Sequence, residues 1–190
     1  MTEDVVIWNR LAALLPVAEA REIRECWDIG EQEAGLCLLV SGLLAHGVPI
    51  GETDRAQISV VAETWGERTA LAPRILQCPG NGEPARVKLV ERGADGGEGR
   101  ADGADRDETG LVSVPWIACT RCGRTLMRVH VRESRGDLSY LAHHYVITSP
   151  DRAAVPRRFP ADCADAAFAA LLDECAEPFR ESALGEGVRS

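Results

Sequence analysis

Apolar residues keep a helical rhythm along this chain up to about residue 65 and a strand rhythm from about residue 72 onward. Ile7, Leu11, Leu14 and Leu15, with Trp8 beside them, predict a helix over 4–15. Pro16 ends it or opens the next. Val17, Ala20, Ile23 and Trp27 then set one side of a second helix, 17–28, against Glu19, Glu22 and Glu25. Asp28 is placed to cap a third helix, with Glu31 three residues on at capping-box spacing. That helix, 31–45, is apolar nearly all round through Leu36, Cys37, Leu38, Leu39, Val40, Leu43 and Leu44. Such a surface belongs at the centre of a packed domain. His46-Gly47-Val48-Pro49 stops it. Ile58, Val61, Ala62 and Trp65 mark a fourth helix over 53–65. Four helices on short links imply antiparallel neighbours in a small bundle.

Past Leu71 the pattern favours strands. Arg74–Cys78 and Ala85–Glu91 are expected as the first two, split by the turn chemistry of Pro79-Gly80-Asn81-Gly82. Gly93–Gly110 carries no large apolar residue and reads as a flexible surface loop. It lacks the ligand alternation and closing Glu of a calcium loop. Leu111–Ala118 is the next strand. Arg124–Glu133 follows, with Leu126, Arg128, His130 and Arg132 on one face and Thr125, Met127, Val129 and Val131 on the other. Ser134–Asp137 reads as a hairpin turn and Leu138–Thr148 as the returning strand. A linker with Pro150, Pro156 and Pro160 leads to a last helix, opening near Asp162 and carrying Ala166, Phe168, Ala169, Leu171, Leu172 and Cys175. The tail after Phe179 is expected to fray. The fold class is therefore α+β: an N-terminal four-helix bundle-like region, an antiparallel β-sheet with a CxxCG knuckle, and a C-terminal helix. It divides into an acidic helical region (1–70), an antiparallel β region (71–148, with the flexible loop 93–110), and a linker with the final helix (149–190).

A chain of 190 residues fits one domain, or two small ones on a shared core. Charge changes the picture more than size does. Twelve acids against five bases give residues 1–70 a charge of −7, leaving −2 of the total −9 for the rest. Charged helix positions are first of all a solvated surface. An acidic balance is poorly suited to gripping a phosphate backbone and better suited to a basic protein partner. Met1-Thr2-Glu3-Asp4 lacks the basic start of a secretory signal, and the apolar run 36–45 is too short to span a bilayer. A cytoplasmic location follows, with no nucleic-acid or membrane partner. The seven cysteines then read as reduced thiols. Cys26, Cys37, Cys163 and Cys175 lie in helical patterns and read as small buried hydrophobes.

The sharpest chemical signal is Cys119-Thr120-Arg121-Cys122-Gly123. A C-x-x-C-G turn between strands presents two thiolates to a tetrahedral ion, with a glycine free to take positive φ. It supplies half the ligands of a zinc site, the rest coming from Cys78, His130, His143 or His144. Cys78-Pro79-Gly80-Asn81 looks like a second knuckle without its last cysteine, so Cys78, Cys119, Cys122 and His143 form the working ligand set. A thioredoxin-type dithiol competes, but it requires the cysteines to open a helix, and the residues after Cys122 alternate like a strand. No G-x-S-x-G, Walker A, H-E-x-x-H or strand–G-x-G-x-x-G–helix pattern is present, and no catalytic residue is assigned. An enzyme site assembled from Cys119, Cys122, His130 and His143 would imply no particular substrate. His143 and His144, as strand neighbours, are expected to face opposite sides.

Gly30-Glu31, Ala34-Gly35-Leu36, Gly47-Val48-Pro49-Ile50 and the amphipathic segment 56–65 together resemble the helical core of small bacterial immunity proteins. Those proteins belong to polymorphic and contact-dependent toxin systems and include the Maf-type immunity group. The resemblance covers Gly30–Gly66, about the N-terminal third. It implies a cytosolic, non-enzymatic protein that neutralises a cognate toxin domain by direct, tight binding. A cationic toxin surface would be met by carboxylates, and Glu31, Glu33, Glu52 and Asp54, around the ends of the third helix, are the expected anchors. The alternative is a zinc-ribbon-containing adaptor or regulatory module whose β half grips the partner.

Overall fold

The computed structural model describes residues 3–90, 110–133, 137–150 and 155–176. Five helices come first: α1 (Glu3–Ala12), α2 (Val17–Asp28), α3 (Gln32–Ala45), α4 (Glu52–Thr64) and α5 (Arg68–Gln77). The strands β1 (Val87–Leu89), β2 (Leu111–Cys119), β3 (Thr125–Val131), β4 (His144–Thr148) and β5 (Arg157–Pro160) follow, and α6 (Ala164–Ala176) closes the described chain. The molecule is thus mixed helix and sheet. The expected hairpin turn after Ser134, the loop 93–109, part of the proline linker (151–154) and the tail beyond 176 lie outside the described residues.

The apolar α3 occupies the middle of the helical layer, with Leu36, Leu39, Val40 and Leu43 fully buried. Two glycines let its neighbours approach. A Cβ on Gly35 would stand 2.7 Å from Trp8 Cζ2 and 2.9 Å from Cys26 Cβ. Gly35→Ala is therefore expected to destabilise by about 1–3 kcal/mol through overpacking, despite alanine's better helix propensity. A urea unfolding midpoint at or above wild type would show that α1 and α2 can give way. The expected Asp28 cap is not made, because Asp28 belongs to the last turn of α2. Gly30 (φ +83°) instead ends α2 in a Schellman motif, with the Glu31 N–H donating to Cys26 O at 2.7 Å and the Gly30 N–H to Trp27 O at 3.1 Å.

Of residues 74–78, expected as a strand, 74–77 finish α5 and Cys78 caps it. Leu71 and Ile75, one turn apart, both bury in the helical core, and that stripe prevails over the interruption at Pro73. The helical region therefore holds five helices, where the sequence suggested four.

The sheet is an antiparallel meander in the order β1-β2-β3-β4-β5. The β2–β3 register slips between Pro115 and Ile117. Proline cannot donate to the ladder, and the resulting bulge turns Trp116 and Ile117 in succession into the core. The returning strand is shorter than expected. Beyond the Arg132–Leu138 bridge, Ser139 Oγ accepts the Val131 N–H at 3.2 Å and donates to Leu141 O at 2.8 Å, which draws 140–142 off the ladder before the His143 N–H rejoins it at Val129 O. The proline linker, conversely, contains β5, where an edge position tolerates Pro160.

Two apolar clusters share α4. Ile58 and Ala62 join the cluster of α1–α3 and α5, while Ala56 and Val60 join that of the sheet and α6. Helix α4 is therefore buried on both sides and welds the two halves into one body.

Candidate metal centre

Cys119 ends β2, and the chain reverses through Thr120–Arg124 into β3. The Cys119 N–H donates to Arg124 O at 2.8 Å and the Gly123 N–H to Cys119 O at 3.1 Å, while Gly123 takes φ +71°. A β-carbon is strained at that angle, which gives the glycine its reason. The backbone N–H groups of Arg121 and Cys122 point at Cys119 Sγ from 3.4 and 3.5 Å. The third sulfur comes from elsewhere. Ala167, Phe168 and Leu171 bury one face of α6 against the sheet, and Cys175 continues that face one turn later. Its Sγ lies 3.4 Å from Cys122 Sγ. All three sulfurs lie within 4.8 Å of one another. Arg124 Nη1 reaches both the carbonyl and the carboxylate of Glu174 at 3.4 Å, and Arg157 reaches the same carboxylate at 3.5 Å. These contacts hold the end of α6 against the turn.

Three soft thiols on a tight turn and a packed helix suit zinc. Tetrahedral zinc–thiolate bonds of ~2.3 Å separate sulfurs by roughly 3.8 Å, close to the spread seen here. Burial works against a Cys119 thiolate, but hydrogen bonds from the Cys175 thiol, from the Cys122 and Arg121 backbones and from the Cys122 thiol outweigh it. The Cys119 thiol is held below its ordinary range. Burial and donation to those two neighbours push Cys175 the other way. Three thiols sharing protons in this manner can exchange them for a cation.

Two of the expected ligands are not in this group. Cys78 caps α5 inside the helical core and donates to Arg74 O at 3.5 Å. Because 74–77 is helical and Cys78 closes that helix, it cannot serve as a strand-borne second knuckle. His143 sits in the connection before β4, its Nδ1 3.1 Å from that of His144, so the two rings meet where opposite faces were expected. Cys175, read as a core hydrophobe, is the missed member. Only its spacing one turn from Leu171 hinted at a packed position, and apolar residues share that spacing.

His130 is also committed elsewhere. Its Nδ1 contacts Ser139 O at 2.8 Å, and it lies near a buried polar seam between α4 and the sheet. In that seam Glu63 Oε2 is 3.4 Å from Arg128 Nη1 and 3.7 Å from Arg68 Nε. The Tyr145 hydroxyl donates to Glu63 Oε1 at 3.3 Å, and the Arg128 guanidinium lies 5.5 Å from the centre of the Trp116 ring. The Trp116 indole N–H donates to Ser59 Oγ at 3.0 Å. Burial, then the charge of Glu63, raises the Tyr145 phenol.

Burial, then Arg128, lowers the His130 pKa below 6.5. A depressed histidine stays neutral in the fold while the unfolded chain takes up a proton. Its contribution is thus complete above about pH 6.5 and is lost as pH falls toward the folded value. The urea midpoint is expected to drop between pH 7.5 and 5, and His130→Gln to flatten that slope. Equal slopes in both proteins would remove His130 from the account.

The four expected acidic anchors are not gathered into one patch. Glu31 and Glu33 are exposed at the start of α3, whereas Glu52 and Asp54 open α4 beyond its far end. Glu52 pairs with Arg55 at 2.9 Å, and Asp54 pairs with Arg10. No helix among the described residues is long and apolar enough to cross a membrane. Comparison of the chain with protein-family models, with curated proteins and with solved structures finds no match.

Proposed function

We propose that the chain is a binding protein of the immunity type, neutralising a basic toxin domain in the cytoplasm by docking its helical layer on it. Cys119, Cys122 and Cys175 would hold a structural zinc ion, with Cys119–Gly123 as its knuckle. The bundle-like α1–α4 would supply the docking layer. The observation that carries the docking reading is the corner between α2 and α3. There Ile29 stands 73% exposed beside the exposed Glu31 and Glu33, in the half of the chain that holds −7 of the −9 charge. An apolar tip rimmed by carboxylates has the anatomy of an interface, and the rim charge speeds encounter with a cationic surface.

The test is a search of the neighbouring genes for a secreted toxin, followed by co-expression with its toxin domain. Restored growth and a stoichiometric complex are expected. Alanine at Glu31, Glu33, Glu52 and Asp54 together should slow association about tenfold and flatten its salt dependence. Continued killing with no complex formed would end this reading. A second reading, a zinc-containing adaptor whose sheet grips the partner, is favoured by the sulfur trio. It predicts that chelation abolishes partner binding, whereas in the first reading chelation lowers stability and the protein still folded binds as before.

A further inference from the structure

A cleft of about 190 Å³ opens where α1, α2 and α4 meet the start of α6. Trp8, Trp27 and Trp65 line it, and so do Asp4, Asp162 and Asp165. The indoles form a continuous wall. Trp8 and Trp27 have ring centres 5.3 Å apart at 43°, and Trp27 and Trp65 6.2 Å apart at 86°. The Trp8 ring is fixed by its N–H bond to Ile23 O at 3.0 Å. The carboxylates arrive from α1, from α6 and from the turn before α6, and among the described residues the lining includes no lysine or arginine.

One further group faces the same space. Gln57 is only 9% exposed and lines the cleft, yet its amide has no hydrogen-bond partner among the described residues. The amide is not enclosed, so it is open to the cleft and free to accept from a donor placed there. Aromatic faces attract cations through their quadrupoles, and the acids add a negative potential above them. The volume is below the roughly 300–1,000 Å³ of pockets for drug-sized ligands, and it suits one long side chain.

We propose that this cleft takes the guanidinium of an arginine presented by a basic partner protein. The planar cation stacks on an indole, donates to the Asp carboxylates at the rim and to the Gln57 amide oxygen, and is more weakly hydrated than an ammonium. The inference deepens the docking reading by naming the group that is held.

The test needs no partner. N-acetyl-arginine amide is titrated into the 15N-labelled full chain at constant ionic strength, and the indole N–H signals are followed. The Trp27 and Trp65 signals are expected to shift and saturate in the roughly millimolar range, as befits one side chain. Trp116, enclosed in the core, should stay fixed. N-acetyl-citrulline amide, the neutral isostere, should bind at least about tenfold more weakly. Asp4→Asn/Asp162→Asn/Asp165→Asn should cost about tenfold for arginine, with a melting temperature lowered by a few degrees at most because Asp4 and Asp165 also sit in first helical turns. Equal shifts with citrulline, no saturable shift with arginine, or N-acetyl-lysine amide binding as tightly would each overturn the assignment. A cleft that ignores arginine in a chain that still restores growth sinks this inference alone. A chain that takes arginine but rescues no growth sinks the docking reading alone.

Discussion

Replacing Cys175 by Ala is expected to reduce bound zinc from about one ion per chain to almost none, and to lower the melting temperature by about 10 °C or more. The sulfur of Cys175 is the only link in the trio that comes from α6, 3.4 Å from Cys122. Without it the two cysteines of the β2–β3 turn hold half a coordination shell, and the metal no longer ties the turn to the helix. Because an unfolded chain offers no preformed site, the free energy of binding is largely free energy of folding, so chelation should act in the same direction on the wild type. Three controls sharpen the result. Cys78→Ala should cost stability through a cavity in the helical core yet leave zinc content unchanged. His143→Ala should leave zinc unchanged as well. Cys163→Ala, at a half-buried position ahead of α6, should change neither quantity. Metal analysis of protein produced with zinc supplied, paired with melting curves with and without EDTA, reads all of these. Zinc-free protein whose melting ignores EDTA would show that the three thiols simply pack together.

The second large effect is expected at Glu63. This carboxylate is 4% exposed between Arg128, Arg68 and the Tyr145 hydroxyl. Glu63→Ala removes the one anion that the described residues place in this seam and leaves a cavity beside Arg128 and Arg68. Breaking a buried pair from one side costs about 3–5 kcal/mol, or about 10 °C in a chain of this size. Glu63→Leu with Arg128→Met should recover most of that loss, since an apolar pair of similar volume needs no counter-charge. If Glu63→Ala melts within a degree or two of wild type, water reaches the seam and its charges are solvated. The position matters because α4 belongs to both apolar clusters: loosening this seam separates the helical layer from the sheet.

The same residues explain what could be read early and what could not. Helices α1, α2 and α4 were legible from an apolar stripe at helical period, as with Ile7 and Leu11 or Ile58 and Ala62, and α3 from a long run that is apolar nearly all round. Strand β3 was legible from its alternation: Leu126, Arg128 and His130 of one face are buried, although Arg132 of that face lies past the strand end and is exposed, and Val129 of the other face is buried as well. That its charges point inward could not be known, since the partner, Glu63, lies 65 residues away in α4. Helix α5 was missed because Pro73 broke the pattern, although contacts of Leu71 and Ile75 outweigh one lost hydrogen bond. Strand β5 was missed because its prolines signal a linker unless the segment is known to lie on an edge.

By itself, the sequence determined helices α1 to α4 and α6, strands β2 and β3, the acidic helical region and the two-cysteine turn, since each rests on residues within a few positions of one another. The tertiary structure decided which third thiol joins Cys119 and Cys122, which helix carries both cores, and that three tryptophans from three helices wall one cleft. Those outcomes depend on how separate faces pack to exclude water. Periodicity shows that a face is apolar, but not which other face will cover it.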